Sequence, residues 1–425
     1  MYRLLLIVLC IVTGCSPAHR IARTLRTETA YTDHLTGVAV YDPIRKKSLI
    51  QHNADQLFTP ASNTKLLSFY AGLLFLPDSL PALRYAVQND SLVIWGTGNP
   101  LLLHPDLPDT STLAFLRGRT EPLAFSPTNY TGPRFGAGWA WDDYADDYSP
   151  ELAPLPIYGN VARFHKPTPL LPFRVTPSRF TDSIYADPSK RTTIRRDEFA
   201  NRFFVPPTAS NRQQDVPFRW SPELASDLLS DTLHRTVTVS PHPMPTDTRL
   251  LRGQPADSLY KRMMHVSDNQ FAEQVLFMIS AERGNSQLDP AAVRRLLIDS
   301  VLHYPPTAAR WIDGSGLSRY NLFTPNTFID LLGRIRSKVP QPRLFALLPA
   351  AGQSGTLRSV GSTVKQPYIW AKSGSMTGVY NLSGYIQTRR GRLLYFSVMN
   401  NNFSQSVSEM RKRTAELLRQ IHEQL

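Results

Sequence analysis

Two short apolar-rich runs, 36–41 and 48–52, flank Asp42-Pro43 and predict a β-hairpin. The period then changes. Leu66, Leu67, Phe69, Tyr70, Leu73 and Leu74 recur at helical spacing until Pro77 stops the helix. Ser62 falls where that helix begins and Lys65 one turn later, so the two side chains share a face. From 84 to 235 the texture differs: a strand over 91–95, a Gly96-Thr97-Gly98-Asn99-Pro100 turn, aromatic runs, and a proline-rich stretch at 167–177. This is too long for a structureless loop inside a compact domain, so it predicts an inserted, mostly β domain. Helical spacing returns over 256–280, with Phe271, Val275, Leu276 and Ile279 on one stripe, and another helix follows Pro325. Strands are predicted at 368–372, 380–387 and 393–399, and an amphipathic helix at 406–425. The sum is an α/β (α+β) catalytic domain built from 31–83 and 236–425, a sheet with N- and C-terminal strands flanked by helices, interrupted by 84–235.

The first residues break this pattern. Arg3 precedes an unbroken apolar run at 4–12, too short to span a bilayer but suited to a signal peptide. The run ends at Thr13-Gly14-Cys15, where a small residue before cysteine resembles a bacterial lipobox. Residues 1–14 are therefore expected to be a lipoprotein signal and Cys15 the lipidated N-terminus of a membrane-anchored protein. Simple signal cleavage or an uncleaved anchor are the alternatives. Residues 15–30 read as a polar linker.

Composition narrows the chemistry. The only two cysteines are Cys10, in the leader, and Cys15, so the mature domain has no internal disulfide, no cysteine nucleophile and no cysteine-based zinc site. The ten histidines form no H-E-x-x-H, and no phosphate-binding G-x-x-x-x-G-K-[ST] loop is present, so neither metal nor cofactor is expected. A net charge of +13 is compatible with nucleic acid, an anionic membrane or an anionic wall polymer. The basic residues are dispersed, and no zinc-finger or RNA-binding motif appears, so no nucleic-acid partner is expected.

Three short motifs carry the chemistry: Ser62-Asn63-Thr64-Lys65, Ser267-Asp268-Asn269 and Lys372-Ser373-Gly374. They supply a hydroxyl nucleophile with an amine base, a hydroxyl–amide pair, and a cation beside a glycine-edged strand. A serine hydroxyl needs a neighbouring base, and lysine serves only when burial or another cation destabilises its ammonium. Lys372 is the candidate for that second cation. Ser373 offers a hydroxyl to a substrate carboxylate, Gly374 allows close approach, and Ser375 offers an N–H to an oxyanion. Two further S-x-x-K copies, Ser258 to Lys261 and Ser362 to Lys365, are decoys by context: one lies inside a helix and the other in a turn. Each motif has a plain reading too, as helix cap, surface lysine or strand end. No G-x-S-x-G elbow argues for a Ser-His-Asp hydrolase.

In this order the motifs resemble the penicillin-binding-protein and serine β-lactamase superfamily. Longer stretches resemble one branch, the D-alanyl-D-alanine carboxypeptidase/endopeptidases of peptidase family S13: 92–100, 138–143, Asp313-Gly314-Ser315-Gly316-Leu317-Ser318-Arg319, 352–357 and 373–384. The resemblance implies a DD-peptidase/serine β-lactamase-like fold with a large insertion between the first two motifs. Here 205 residues separate Ser62 from Ser267, against 105 from Ser267 to Lys372. It further implies Ser62 as acylated nucleophile, Lys65 as base, Ser267 and Asn269 as the second element, Lys372 as the third, and an acidic residue that meets an amino group of the peptide stem, matched by Asp143. The third motif has serine where this branch usually has threonine. The expected activity is hydrolysis of D-Ala-D-Ala, or of D-configured crosslinks, in peptidoglycan stem peptides, with β-lactams as covalent inhibitors. The expected location is the periplasm of a Gram-negative bacterium. A β-lactamase or D-esterase of the same superfamily, or a silent peptidoglycan-binding lipoprotein, are the alternatives.

Overall fold

The computed structural model describes residues 16–166, 172–189, 191–207, 209, 213–361 and 366–425. The expected leader 1–14, Cys15 and the decoy Ser362 with Lys365 lie outside the described residues.

The predicted hairpin forms from Leu35–Asp42 and Lys47–His52, and its first strand also pairs with Leu393–Asn401, placing Val38 opposite Val398. The N- and C-terminal parts of the chain thus close one antiparallel sheet, in the order Ile369–Met376, Val379–Gln387, Leu393–Asn401, Leu35–Asp42, Lys47–His52. Alternation along the strands gives the sheet two apolar faces, and helices cover both. On one face Val40, Leu382 and Phe396 pack against Leu417, Leu418 and Ile421 of the terminal helix Val407–Gln424. On the other, Tyr385, Tyr395 and Met399 meet Leu66, Phe271 and Leu331 from helices Lys65–Phe75, Asn269–Glu282 and Pro325–Lys338.

The expected linker 15–30 is corrected: Pro17–Thr27 is an α-helix lying on the first of these faces. Ser16 caps it, accepting from the His19 N–H, and Pro17 occupies its first turn. Ile21 and Leu25, one turn apart, are buried while Arg20, Arg23 and Arg26 face outward. An apolar stripe only two side chains long, among arginines and threonines, reads as polar in sequence although it is enough to seat a short helix.

The interrupting segment has its own core, in which Ile94, Phe125, Phe164, Phe203, Phe218 and Leu228 pack together. Its main sheet runs Val237–Val239, Leu123–Ser126, Ser91–Gly96, Ser79–Gln88, Arg249–Pro255. The expected borders at 84 and 235 therefore cut through this sheet. The chain enters along Ser79–Gln88 and leaves along its antiparallel neighbour, with Leu83 opposite Leu251. A change of composition midway along a strand does not mark where that strand begins. Two helices, Thr110–Arg117 and Pro222–Leu233, accompany its strands.

Candidate active site

Ser62 lies in the 3-10 turn Ala61–Thr64 that leads directly into helix Lys65–Phe75. An N–H in such a first turn is not consumed by helix hydrogen bonds and stays available to a ligand. Two close approaches hold the turn. A Cβ on Gly374 would stand 2.5 Å from the Pro60 carbonyl oxygen and 2.9 Å from the Ser62 nitrogen, so the strand Ile369–Met376 passes directly over the serine. A Cβ on Gly316 would stand 2.0 Å from the Ala61 carbonyl oxygen. Ala61 itself has φ +46, a left-handed conformation that a non-glycine residue keeps only when its surroundings impose it.

Lys65 is fully buried and reaches three acceptors: Ser62 Oγ at 2.8 Å, Asn269 Oδ1 at 2.5 Å and the Ser315 carbonyl at 2.7 Å. No carboxylate touches it among the described residues. Burial pushes its pKa down to about 8, against the pull of Asp313, Glu273 and Asp268. The geometry is that of an amine held on a serine hydroxyl by neutral partners.

The sequence predicts continuous helical texture over 256–280, but the chain breaks into helices Ala256–His265 and Asn269–Glu282. Ser267 stands in the break at φ +62. Asp268 alone performs the capping role that all three motif residues could have filled, accepting from the Phe271 N–H at 3.0 Å. Ser267 and Asn269 are thereby left free for other partners. The Ser267 hydroxyl accepts from Lys372 Nζ at 2.9 Å, and Asn269 donates to the Tyr148 carbonyl at 2.8 Å while holding Lys65.

Lys372, also fully buried, donates in addition to the Ser373 carbonyl at 2.7 Å. Its pKa lies well below the ordinary lysine value, first through burial and then through the Lys65 charge. Sequence reasoning gave Lys372 the task of destabilising the Lys65 ammonium. Burial is the main cause at both amines, and their mutual repulsion bears on Lys372. Ser373 Oγ donates to Thr356 Oγ1 at 2.7 Å, which pairs two hydroxyls at the residue after Lys372. Ser375 follows on the same strand and is exposed.

Asp143 is half-buried in the short turn Trp141–Ala145, with its pKa raised by burial, whereas Asp142 is exposed. Tyr148 joins it to the centre: the tyrosine hydroxyl donates to Asp143 Oδ1 at 2.9 Å while its carbonyl accepts from Asn269. The decoy Ser258 sits inside helix Ala256–His265 with Lys261 exposed, remote from any such partners.

Sequence reasoning missed four contributors: the Ser315 carbonyl, Thr356, Glu273 and Asp313. Glu273, one turn after Asn269 on the same helix, accepts from the Gly314 and Ser315 N–H groups at 3.0 and 2.7 Å. Burial, then Asp313, lifts it to about 7. Asp313 in turn accepts from Gly316, Ser318, Asn321 and Trp139, the last reaching over from the inserted segment. For Glu273, Asp313 and the Ser315 carbonyl the signal in sequence is the i, i+4 spacing of Asn269 and Glu273 and the Asp-Gly-Ser-Gly turn at 313–316.

The family model described as the D-Ala-D-Ala carboxypeptidase 3 (S13) family matches residues 18–421. A D-alanyl-D-alanine carboxypeptidase of Actinomadura is 27% identical over 87% of this chain and 78% of its own length. The D-alanyl-D-alanine carboxypeptidase DacB of Haemophilus influenzae is 33% identical over 39% of this chain, a match that spans 36% of that relative. The crystal structure of penicillin binding protein 4 from H. influenzae superposes with a TM-score of 0.73 at 21% identity, covering 92% of this chain and 96% of that one. A second structure of that protein holds a β-lactam.

Proposed function

Because the chain belongs to the D-Ala-D-Ala carboxypeptidase 3 (S13) family, and so to the serine carboxypeptidases, we propose that it hydrolyses peptidoglycan stem peptides through an acyl-Ser62 intermediate. The observation that carries this reading is the buried Lys65 amine, 2.8 Å from Ser62 Oγ and without a carboxylate partner. A base with a pKa of about 8 is partly neutral near neutral pH and takes the serine proton as Oγ attacks the carbonyl of the penultimate D-Ala. The N–H groups of Ser62 and Ser375 receive the oxyanion. The terminal carboxylate of the substrate docks on Ser373, Thr356 and Lys372, and its charge favours the Lys372 ammonium by supplying a counter-ion. Ser267, held by Lys372, passes to the departing amine the proton that Lys65 took from Ser62, which leaves Lys65 neutral again; water, deprotonated by Lys65, then attacks the acyl carbon and frees Ser62.

Asp143 faces an amino group of the stem peptide, which favours substrates with a free amine near the scissile bond. The same geometry serves a D-configured crosslink, giving endopeptidase as well as carboxypeptidase activity. Cys15 carries the lipid anchor, and the domain works in the periplasm of a Gram-negative bacterium.

Labelled penicillin followed by peptide mass spectrometry tests the reading. A long-lived adduct is expected on Ser62 and is absent from Ser62→Ala. Labelling at Ser258 or Ser362, or no labelling, overturns the nucleophile assignment, and fast penicillin turnover assigns the site to a β-lactamase instead.

A further inference from the structure

The end of the central sheet away from Lys372 carries a surface that the reaction does not use. Two turns meet there: residues 43–46, within the hairpin, and 388–392, between strands Val379–Gln387 and Leu393–Asn401. With the start of helix Pro17–Thr27 they surround a cavity of about 360 Å³ lined by His19, Arg45, Lys47, Arg390 and Arg392, by no acidic side chain, and by Leu425, whose terminal carboxylate is outnumbered there by four Arg and Lys side chains. Arg23 and Arg26 continue the basic surface along the same helix, beside strand Lys47–His52. One carboxylate side chain serves this region: Asp42 is buried and pairs with Arg392 at 3.1 Å and Arg45 at 4.0 Å. Arg23, Arg26, Lys46, Lys47 and Arg390 have no carboxylate partner among the described residues, and all five are exposed. At the tip of the hairpin, directly before Arg45, Ile44 is 80% exposed.

We propose that this surface docks on an anionic lipid bilayer, with Ile44 entering the headgroup region and the surrounding cations resting on it. An apolar residue held out on a basic turn is the arrangement that interfacial binding uses, since burial of the side chain and attraction to anionic headgroups act together. A soluble anionic polymer answers only the charges and leaves Ile44 in water. Position supports the same partner. Ser16, where the described chain starts, lines the cavity, so any anchor at Cys15 emerges from this surface. Lys372 pairs with Ser383, and the turn at 388–392 begins five residues further along that strand, or roughly 17 Å away. Docking therefore holds the site away from the membrane, towards the wall. The inference is independent of which bond the enzyme cuts.

Hydrogen exchange of the full chain on vesicles tests it. On phosphatidylglycerol vesicles, amides of 43–47 and 389–392 exchange about tenfold more slowly than on phosphatidylcholine vesicles, and the difference disappears at 1 M salt, where screening acts within ~3 Å. The triple reversal K46E/K47E/R390E abolishes the protection and leaves penicillin labelling of Ser62 unchanged. A control reversal elsewhere, R174E/R249E/R310E, retains it. Equal exchange on both lipids, equal loss in the control, or protection by soluble glycan strands instead of vesicles overturns the proposal. Failure of the penicillin labelling bears on the catalytic reading alone.

Discussion

Replacing Gly374 with alanine adds one methyl group and tests how the third motif acts. The new Cβ would stand 2.5 Å from the Pro60 carbonyl and 2.9 Å from the nitrogens of Ser62 and Asn63, against 3.4 Å for ordinary contact. All three neighbours are backbone, so no side chain can swing away. The strand must retreat by about 0.9 Å from the turn that carries Ser62. A displacement of ~1 Å in a catalytic constellation costs on the order of a hundredfold in rate. Acylation by a fluorescent penicillin, followed by stopped flow, is expected to slow by about that factor, while the protein still unfolds cooperatively with a modestly lower midpoint. Gly391→Ala is the matched control. Gly391 has φ +81 with nothing within 4 Å of the added Cβ. It therefore loses roughly 1 kcal/mol of stability from backbone strain without slowing acylation. Acylation of Gly374→Ala within twofold of wild type would falsify the idea that the strand's closeness to Ser62 sets the rate.

Four further outcomes follow from the same geometry. Acylation should rise about tenfold per pH unit below pH 8 and level off above it, because Lys65, lowered to about 8, must be neutral to accept a proton; a limb near the ordinary lysine value refutes its role as base. Glu273→Gln should move that limb to lower pH in the same rate measurement, since the carboxylate it removes raises the Lys65 pKa; an unmoved or upward-shifted limb counts against this. Ser267→Ala leaves Lys372 with the Ser373 carbonyl and should slow peptide hydrolysis by about two to three orders of magnitude. A thioester, whose leaving group needs no proton, should be largely spared, and equal losses on both substrates argue against a proton relay. Asp143→Asn should raise KM about two- to fivefold for stem peptides with a free amine, as expected for a half-exposed ion pair; an identical effect on N-acetylated peptides removes Asp143 from substrate binding.

The parts of the site that depend on residue type were legible in sequence. Ser62, Lys65, Ser267, Asn269 and Lys372 are defined by their functional groups, and helix periodicity placed the first two on one face. The Ser315 carbonyl was not legible, because every residue carries a carbonyl and only the fold aims this one at Lys65. Glu273 was hidden for a different reason: its acceptors' partners are backbone N–H groups 41 and 42 residues away. In the fold, the predicted hairpin, the three C-terminal strands and the final helix all form. The helix Pro17–Thr27 was hidden because its buried stripe is two residues, Ile21 and Leu25. The borders of the inserted segment moved because strand Ser79–Gln88 belongs to its sheet along its whole length, while composition changes partway through it.

The pairing of Leu35–Asp42 with Leu393–Asn401 also sets an order of assembly. Val38 meets Val398 across 360 residues of chain, and contacts so distant in sequence form late because a long loop must close first. The inserted segment, with a core of its own, can be complete while the catalytic sheet still lacks its central strand. Lys65 then has no dry pocket, and its amine remains an ordinary solvated ammonium without power over Ser62. A chain emerging from a ribosome therefore stays chemically silent until nearly its last residue has arrived. Fragments cut short by degradation or early termination are inert by construction.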